Sequence, residues 1–291
     1  MHTGVQWPTP RLKWPDNKLI CCTFRVAYEA FRKSGRFKKT PKIPVNVSSL
    51  SHANYGGAVG AWRLMDIFER HKIPATIGAN GLAVEKWPET IKAFHQAGHE
   101  ICSHGMTNDH HMTDLTPDEQ RKEARDCADL IERCTGVRPV GWVGPGNLVT
   151  PETVGVVAEE GYTWIGDTFD DDVPYIVEAN GRKIVCIPKL NYANDWRAWS
   201  GGLGNGSTYF EGFKTSFDYV YQEALRGRPG AMDVIVHCEL GSRPHLACAF
   251  EQMIAYAKQY SREVWIPTRR EQARYILEES GLAPEPYRPL D

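Results

Sequence analysis

Short apolar runs alternate along the chain with longer stretches in which apolar residues recur at helical period, the signature of repeated βα units and a mainly parallel sheet. Strands are predicted at 19–24, 75–79, 100–103, 140–143, 163–165, 184–187, 234–238 and 264–266. Helices are predicted at 59–71, 84–96, 117–134, 151–160, 209–225, 246–260 and 269–279. Several helix ends carry their own signals. Thr116-Pro117-Asp118-Glu119 and Thr150-Pro151-Glu152 each set an N-cap residue before a first-turn proline and an acid. Gly98, Gly136 and Gly161 each follow a helix and precede a strand, where a left-handed cap is expected.

Five or more such units argue for a barrel or a doubly wound sheet, and 291 residues with this unit count favour the barrel. No repeat period, low-complexity tract or composition shift marks a second domain, so 1–291 is expected to form one domain, with a core over about 19–280 and extended arms at both ends. Two stretches without clear period, 32–55 and 189–207, are candidate lids over a site. The proline-rich tail, 283–291, reads as an arm able to dock on another subunit. Trp62, Trp142 and Trp164 are expected in the core.

Composition narrows the function. With 42% hydrophobic and 24% charged residues the chain can bury a sizeable core and stay in solution. Thirty-four basic against 36 acidic residues, a net charge of −2, and no long run of one sign argue against nucleic acid or a membrane surface as partner. The first residues show no basic segment leading into an apolar one, and nowhere do about 18 apolar residues run together, so a cytoplasmic location is expected. Eight cysteines lie singly in apolar segments, apart from the adjacent Cys21-Cys22, without Cys-x-x-Cys spacing, as expected of reduced, buried thiols rather than a zinc cluster or redox pair.

In parallel α/β folds reacting groups gather at the C-terminal ends of strands. Glu29, His104 and His237 meet that condition. A carboxylate and two imidazoles at one mouth can bind a divalent metal or move protons without one. His110-His111 follows His104 in a polar stretch, and either could supply a further imidazole. Asp170-Asp171-Asp172 reads as a solvated turn. Asn194, Asp195 and Trp196, in the segment Leu190-Asn191-Tyr192-Ala193-Asn194-Asp195-Trp196-Arg197, offer the amide, acid and indole that a pocket for a small polar ring would use.

The stretch Ala97-Gly98-His99-Glu100-Ile101-Cys102-Ser103-His104-Gly105, with 59–77 before it, resembles the polysaccharide deacetylase family, and Cys238-Glu239-Leu240-Gly241-Ser242-Arg243-Pro244 after His237 resembles its last motif. The pattern is similar to the branch that holds the cofactor-independent bacterial allantoinase, cyclic imide hydrolases and cytoplasmic peptidoglycan-deacetylase-like enzymes, and it spans about 19–277. The resemblance implies a distorted (β/α) barrel of mainly parallel strands, of the NodB-homology type, and a homotetramer. In metal-dependent members a first-strand aspartate is the base, a second aspartate two residues later binds metal, and the histidines of a His-x-x-x-His motif complete the site. Here Ala27 stands at the base, Glu29 at the metal-binding aspartate and Asn108 at the second histidine, and the usual Arg-x-Pro motif has become Gly141-Trp142-Val143-Gly144-Pro145.

These departures point away from sugar deacetylation and towards hydrolysis of a non-peptide C–N bond in a small cyclic amide or imide. Glu29 and His104 are expected to position and deprotonate water, and His237 to stabilise the oxyanion or protonate the leaving nitrogen. Asn194, Asp195, Trp196 and Arg243 are the expected substrate contacts. No cofactor is expected; the alternative is zinc or another divalent ion on Glu29, His104 and one of Asn108, His110 and His111. Two other readings stay open: a metal-dependent deacetylase of a small amide or oligosaccharide, and a catalytically silent barrel, the latter motivated by Ala27.

Overall fold

The computed structural model describes residues 12–32, 47–191, 193–200 and 206–289. Its strands are β1 (Ile20–Tyr28), β2 (Thr76–Ala79), β3 (Glu100–Ser103), β4 (Gly141–Trp142), β5 (Trp164–Ile165), β6 (Tyr175–Ala179), β7 (Arg182–Cys186), β8 (Ala193–Asn194), β9 (Gly230–His237), β10 (Val264–Trp265) and β11 (Glu285–Pro286). They form one sheet in the order β11-β6-β7-β5-β4-β3-β2-β1-β9-β8, with β10 also on β1. Neighbours run parallel except β6 and β7, which form an antiparallel hairpin. The helices are α1 (Val47–Tyr55), α2 (Ala61–His71), α3 (Gly81–Lys86), α4 (Pro88–Gln96), α5 (Pro117–Thr135), α6 (Thr153–Glu159), α7 (Asp195–Ser200), α8 (Gly206–Leu225), α9 (Pro244–Gln259) and α10 (Arg269–Glu278).

All nine residues of β1 are buried, because both of its faces are covered. Ile20, Cys22, Phe24, Val26 and Tyr28 pack into the largest apolar cluster, with side chains of α2, α8 and α9. The alternate residues Thr23, Arg25 and Ala27 point the other way, into the space the sheet curls around. The curl is visible at Arg269, on the first turn of α10. Its guanidinium lies 2.8 Å from Asp233 of β9 and 5.6 Å from the Trp164 ring of β5, although β4, β3, β2 and β1 separate those strands in the sheet. The α/β architecture of mainly parallel strands is therefore as expected, and among the described residues the pairing path stays open between β8 and β11.

Local signals held where backbone chemistry alone decides. Gly98, Gly136 and Gly161 have φ of 86°, 79° and 91°, and Thr116 caps α5 in a reciprocal box with Glu119. Other expectations need correction. β1 continues to Tyr28 rather than stopping at residue 24, because the charged Arg25 is buried inside the fold instead of ending the strand. The helix expected at 84–96 is two helices, broken where Trp87 leaves helical geometry ahead of Pro88. α6 starts at Thr153, since the Thr153 hydroxyl accepts the Thr150 N–H at 2.9 Å and the chain from 150 to 152 turns first. The β6–β7 hairpin was not foreseen, although Asn180-Gly181, with φ of 50° and 70°, is the turn such a hairpin uses.

The stretch 189–207 holds β8, α7 and the start of α8, and 32–55 holds α1; residues 33–46, 192 and 201–205 lie outside the described residues, as do the N-terminal 1–11 and the last two. The proline-rich tail docks on its own chain, where β11 pairs with β6 and the Tyr287 N–H reaches the Glu178 carbonyl at 3.1 Å. Trp142 and Trp164 are fully buried, but Trp62 on α2 is 46% exposed. All eight cysteines are free thiols, yet Cys134 is only partly buried and Cys248 is exposed on α9. Among the described residues no helix is long and apolar enough to cross a membrane.

Candidate active site

The fold brings Glu29, His104 and His237 together. Glu29 follows β1, His104 follows β3 and His237 ends β9, so three strands deliver their C-terminal ends to one place. Glu29 Oε1 lies 3.4 Å from His104 Nε2 and 3.6 Å from His237 Nε2. All three side chains are buried, none more than 9% exposed.

A residue the sequence did not single out fixes this meeting. Asn80, immediately after β2 and fully buried, accepts the Ala30 N–H at 2.9 Å through Oδ1 and donates from Nδ2 to the His104 carbonyl. One amide thus ties the segment carrying Glu29 to the segment carrying His104. Asn80 also meets the strand-end condition, but an amide does not titrate and so carries no acid–base signal in the sequence.

Hydrogen bonds at the far nitrogens set both imidazole tautomers. His104 Nδ1 is 2.6 Å from the Val143 carbonyl, and a carbonyl only accepts, so Nδ1 carries the proton and Nε2 presents a lone pair. His237 Nδ1 donates in the same way to Asp195 Oδ1 at 2.5 Å, while Asp195 Oδ2 accepts the His237 backbone N–H at 2.7 Å. Burial pushes His104 down to about 3, with the nearby Arg25 cation adding to the effect and the Val143 bond opposing it. His104 is therefore neutral at physiological pH. The His104 Nε2 lone pair and a Glu29 carboxylate oxygen then face one another, two acceptors that need a hydrogen between them, as a reacting water would supply.

Metal-dependent members of the resembled family hold a divalent ion with an aspartate and two histidines, a donor set that differs from the one here. Asn108, at the position of the second histidine, turns its non-ligating amide nitrogen toward the carboxylate, donating from Nδ2 to Glu29 Oε2 at 3.0 Å, and leaves its neutral Oδ1, a weaker metal donor than an imidazole, buried without a partner. His110 is exposed, and His111 starts a short turn through Asp114, 3.3 Å from its Nδ1. Among the described residues no group of three or more histidine, cysteine, aspartate or glutamate side chains is disposed to hold a metal ion. The residues present do not fit one.

The expected substrate contacts lie in different settings. Asp195 has no exposed surface, and both its oxygens are engaged by His237, so it stands behind the imidazole rather than facing a ligand. Asn194 is buried, its Oδ1 accepting the Trp196 N–H at 3.1 Å; Trp196 is half-buried. Arg243 stacks 3.5 Å over the Tyr55 ring and approaches His52 Nδ1 at 3.3 Å, against α1. Of the three acids at 170–172, Asp170 takes the Tyr175 hydroxyl at 2.8 Å and Asp172 pairs with Arg228 at 2.6 Å, which makes them part of the loop's own scaffold. Buried Asp167, unforeseen, accepts the Gly144 N–H at 2.7 Å and the Asn147 amide at 2.6 Å.

Comparison with known proteins follows the same lines. The model of the polysaccharide deacetylase family matches residues 54–165. The structure of a probable polysaccharide deacetylase from Pseudomonas aeruginosa PAO1 is 30% identical, with a TM-score of 0.83, covering 92% of this chain and 94% of that one. The PuuE allantoinase structure is 29% identical, with a TM-score of 0.83, over 95% of this chain and 99% of its own. The peptidoglycan deacetylase of Helicobacter pylori is 21% identical, over 75% of this chain and 84% of its own.

Proposed function

We propose that this chain, which belongs to the polysaccharide deacetylase family, uses that family's hydrolytic fold to open a small cyclic amide or imide by attack of water on a ring carbonyl. The observation that carries the reading is the single Glu29 oxygen held between two imidazoles whose other nitrogens are already engaged. Likeness to an allantoinase along nearly the whole of both chains supports it, as does the amide at Asn108 where metal-dependent relatives use histidine.

In this mechanism a water is held by Glu29 and His104. His104, kept neutral by burial, accepts one of its hydrogens and aims the oxygen lone pair at the carbonyl. Glu29 takes the second proton as the C–O bond forms. His237, protonated on Nε2 and backed by the Asp195 carboxylate, steadies the oxyanion and then gives its proton to the leaving nitrogen as the C–N bond breaks. A carboxylic acid and a freed nitrogen result, and the proton on Glu29 restores His237. Positioned groups of this kind contribute roughly 10²–10⁴-fold each.

A second reading, deacetylation of an acetamido sugar, is favoured by the family itself and by the Helicobacter pylori relative. Turnover of allantoin, hydantoin, succinimide and dihydrouracil, compared with N-acetylglucosamine oligomers, separates the two. The proposal expects turnover on at least one ring, undiminished by chelation. Release of acetate from the sugars alone, dependent on added metal, overturns it. A cytoplasmic homotetramer belongs to the same proposal, and since the tail docks within its own chain, assembly rests on the resemblance rather than on the tail.

A further inference from the structure

Where the ladders of the neighbouring strands β5, β4 and β3 end, side chains take over the bonding between them. The last ladder bonds run from the Gly166 N–H to the Trp142 carbonyl at 2.9 Å and from the Val143 N–H to the Ser103 carbonyl at 3.0 Å. The next peptide unit, joining Val143 to Gly144, has both of its polar atoms engaged by side chains. Its carbonyl accepts from His104 Nδ1 at 2.6 Å, and its N–H donates to Asp167 Oδ2 at 2.7 Å. The unit is trans, so its carbonyl and N–H point in opposite directions, with the imidazole at one end and the carboxylate at the other.

Asp167 is placed to act on that peptide as an anion. It is 5% exposed, and while Oδ2 takes the Gly144 N–H, Oδ1 takes Asn147 Nδ2 at 2.6 Å, so both oxygens serve as acceptors. Burial raises its carboxyl above the ordinary range, and these two bonds, with the Arg25 charge, oppose that rise. A negative charge at the N–H end of a peptide draws out its dipole and makes the carbonyl a stronger acceptor, since hydrogen bonds in a chain polarise one another. The two reacting imidazoles are thus backed in different ways. Asp195 touches His237 Nδ1 directly, which suits a ring that must carry a positive charge while it gives up a proton. Asp167 reaches His104 across a neutral amide, which suits a ring that stays neutral and accepts.

We propose that Asp167 is a positioning residue for the reacting water: through the Val143–Gly144 peptide it holds His104 in the Nδ1–H tautomer and strengthens the Nε2 lone pair that takes a hydrogen of that water. The kinetic part of this inference rests on the ring-opening reading; the tautomer does not.

Proton–nitrogen NMR of the full chain labelled at its histidines reads the His104 tautomer without substrate, the signal being assigned by its loss in His104→Gln. Asp167→Asn offers one acceptor to two donors and removes the charge. It is expected to move the His104 Nδ1–H resonance upfield, to admit the Nε2–H tautomer, and to lower kcat about tenfold with KM changed less than about threefold. Asn147→Ala frees the far end of the loop but leaves Asp167 on Gly144, and is expected to move the resonance far less. Gly144→Ala carries the test if Asp167→Asn does not fold. Its φ of −70° and ψ of 145° suit alanine, and the new Cβ would stand 3.3 Å from Asp167 Oδ2, loosening the bond with the charge retained; the resonance should move the same way. An Nε2–H tautomer in the unsubstituted protein, or a resonance unmoved in the folded variants, overturns the relay. So does an Asn147→Ala protein that matches Asp167→Asn, which would make Asp167 a loop anchor only. A moved resonance with no turnover of any ring leaves the relay standing and counts against ring opening instead.

Discussion

Asp195 grips His237 twice, with one carboxylate oxygen on the backbone N–H at 2.7 Å and the other on Nδ1 at 2.5 Å. The paired contact fixes ring rotation and tautomer together and places a negative charge behind the imidazole. Asp195→Asn keeps the shape but has one acceptor for two donors, so either the backbone bond or the Nδ1 bond is lost and the Nε2 proton is no longer supported. We expect kcat to fall by about 10²-fold or more with KM changed less than about threefold. A folded Asp195→Asn protein with unchanged kcat would show that Asp195 serves folding alone.

Buried neutral histidines give the protein a specific acid sensitivity. His104 is held down to about 3 and His99, between the Phe68 and Phe94 rings, to about 4, in both cases chiefly by burial. Both folded values lie below the usual 6.5 of the unfolded chain, so in the window from about 6.5 down to about 4 the unfolded state binds protons that the folded state refuses. Stability is therefore complete above about pH 7 and declines as the pH falls, with a limiting slope of about 1.4 kcal/mol per pH unit for each histidine. Urea unfolding at pH 7.5, 6 and 5 measures it. His99→Gln, which keeps an acceptor near the Ala75 N–H but does not titrate, should flatten the slope; equal stability across the series would contradict the assignment.

What could be read from the sequence depended on whether the cause was local. Gly136 and Thr116 are recognisable because capping is decided within one turn. Glu29, His104 and His237 were recognisable because parallel strands deliver their ends to one face whatever their separation in sequence. Arg25 was unreadable as part of β1, since a charged residue ends an apolar run unless the fold has a use for it inside. Asp195 is legible by its chemistry, but the sequence places it facing the substrate rather than behind His237. Its position is fixed by the pairing of β8 with β9, a two-residue strand with too little pattern to detect.

The approach of α2 to the loop beyond His237 should be intolerant of a single methyl group. A Cβ at Gly60 would lie 1.9 Å from the Cys238 carbonyl oxygen and 2.5 Å from Ser242 Oγ, and backbone cannot step aside as a flexible side chain can. Gly60→Ala is expected to cost about 2–4 kcal/mol and lower Tm by several degrees. Gly98→Ala is the contrast: no atom lies within 4 Å, and only the left-handed φ of 86° opposes it, at about 1–2 kcal/mol. Equal melting temperatures for the two variants would mean that the α2 contact is looser than its geometry.

Glu29 is the residue on which the site depends most directly, and its isosteric amide separates chemistry from architecture. In Glu29→Gln the side-chain oxygen can still accept from Asn108 Nδ2, now at 3.0 Å, and the new amide N–H can donate to His104 Nε2, now 3.4 Å from the carboxylate. Packing and local hydrogen bonding therefore survive, and Tm should stay within a few degrees. What disappears is the ability to take a proton from water. An amide donor also occupies the His104 lone pair that would orient that water. The expected fall in kcat/KM is at least about 10²-fold, roughly 2.7 kcal/mol of transition-state stabilisation. His104→Ala should reduce the rate comparably, and the double variant should lose little more than either alone, because both act on one water and their effects do not add. A folded Glu29→Gln protein with full activity on its substrate would remove the carboxylate from the chemistry and make Asp167, the buried acid on the β5 side of the same interior, the next residue to replace.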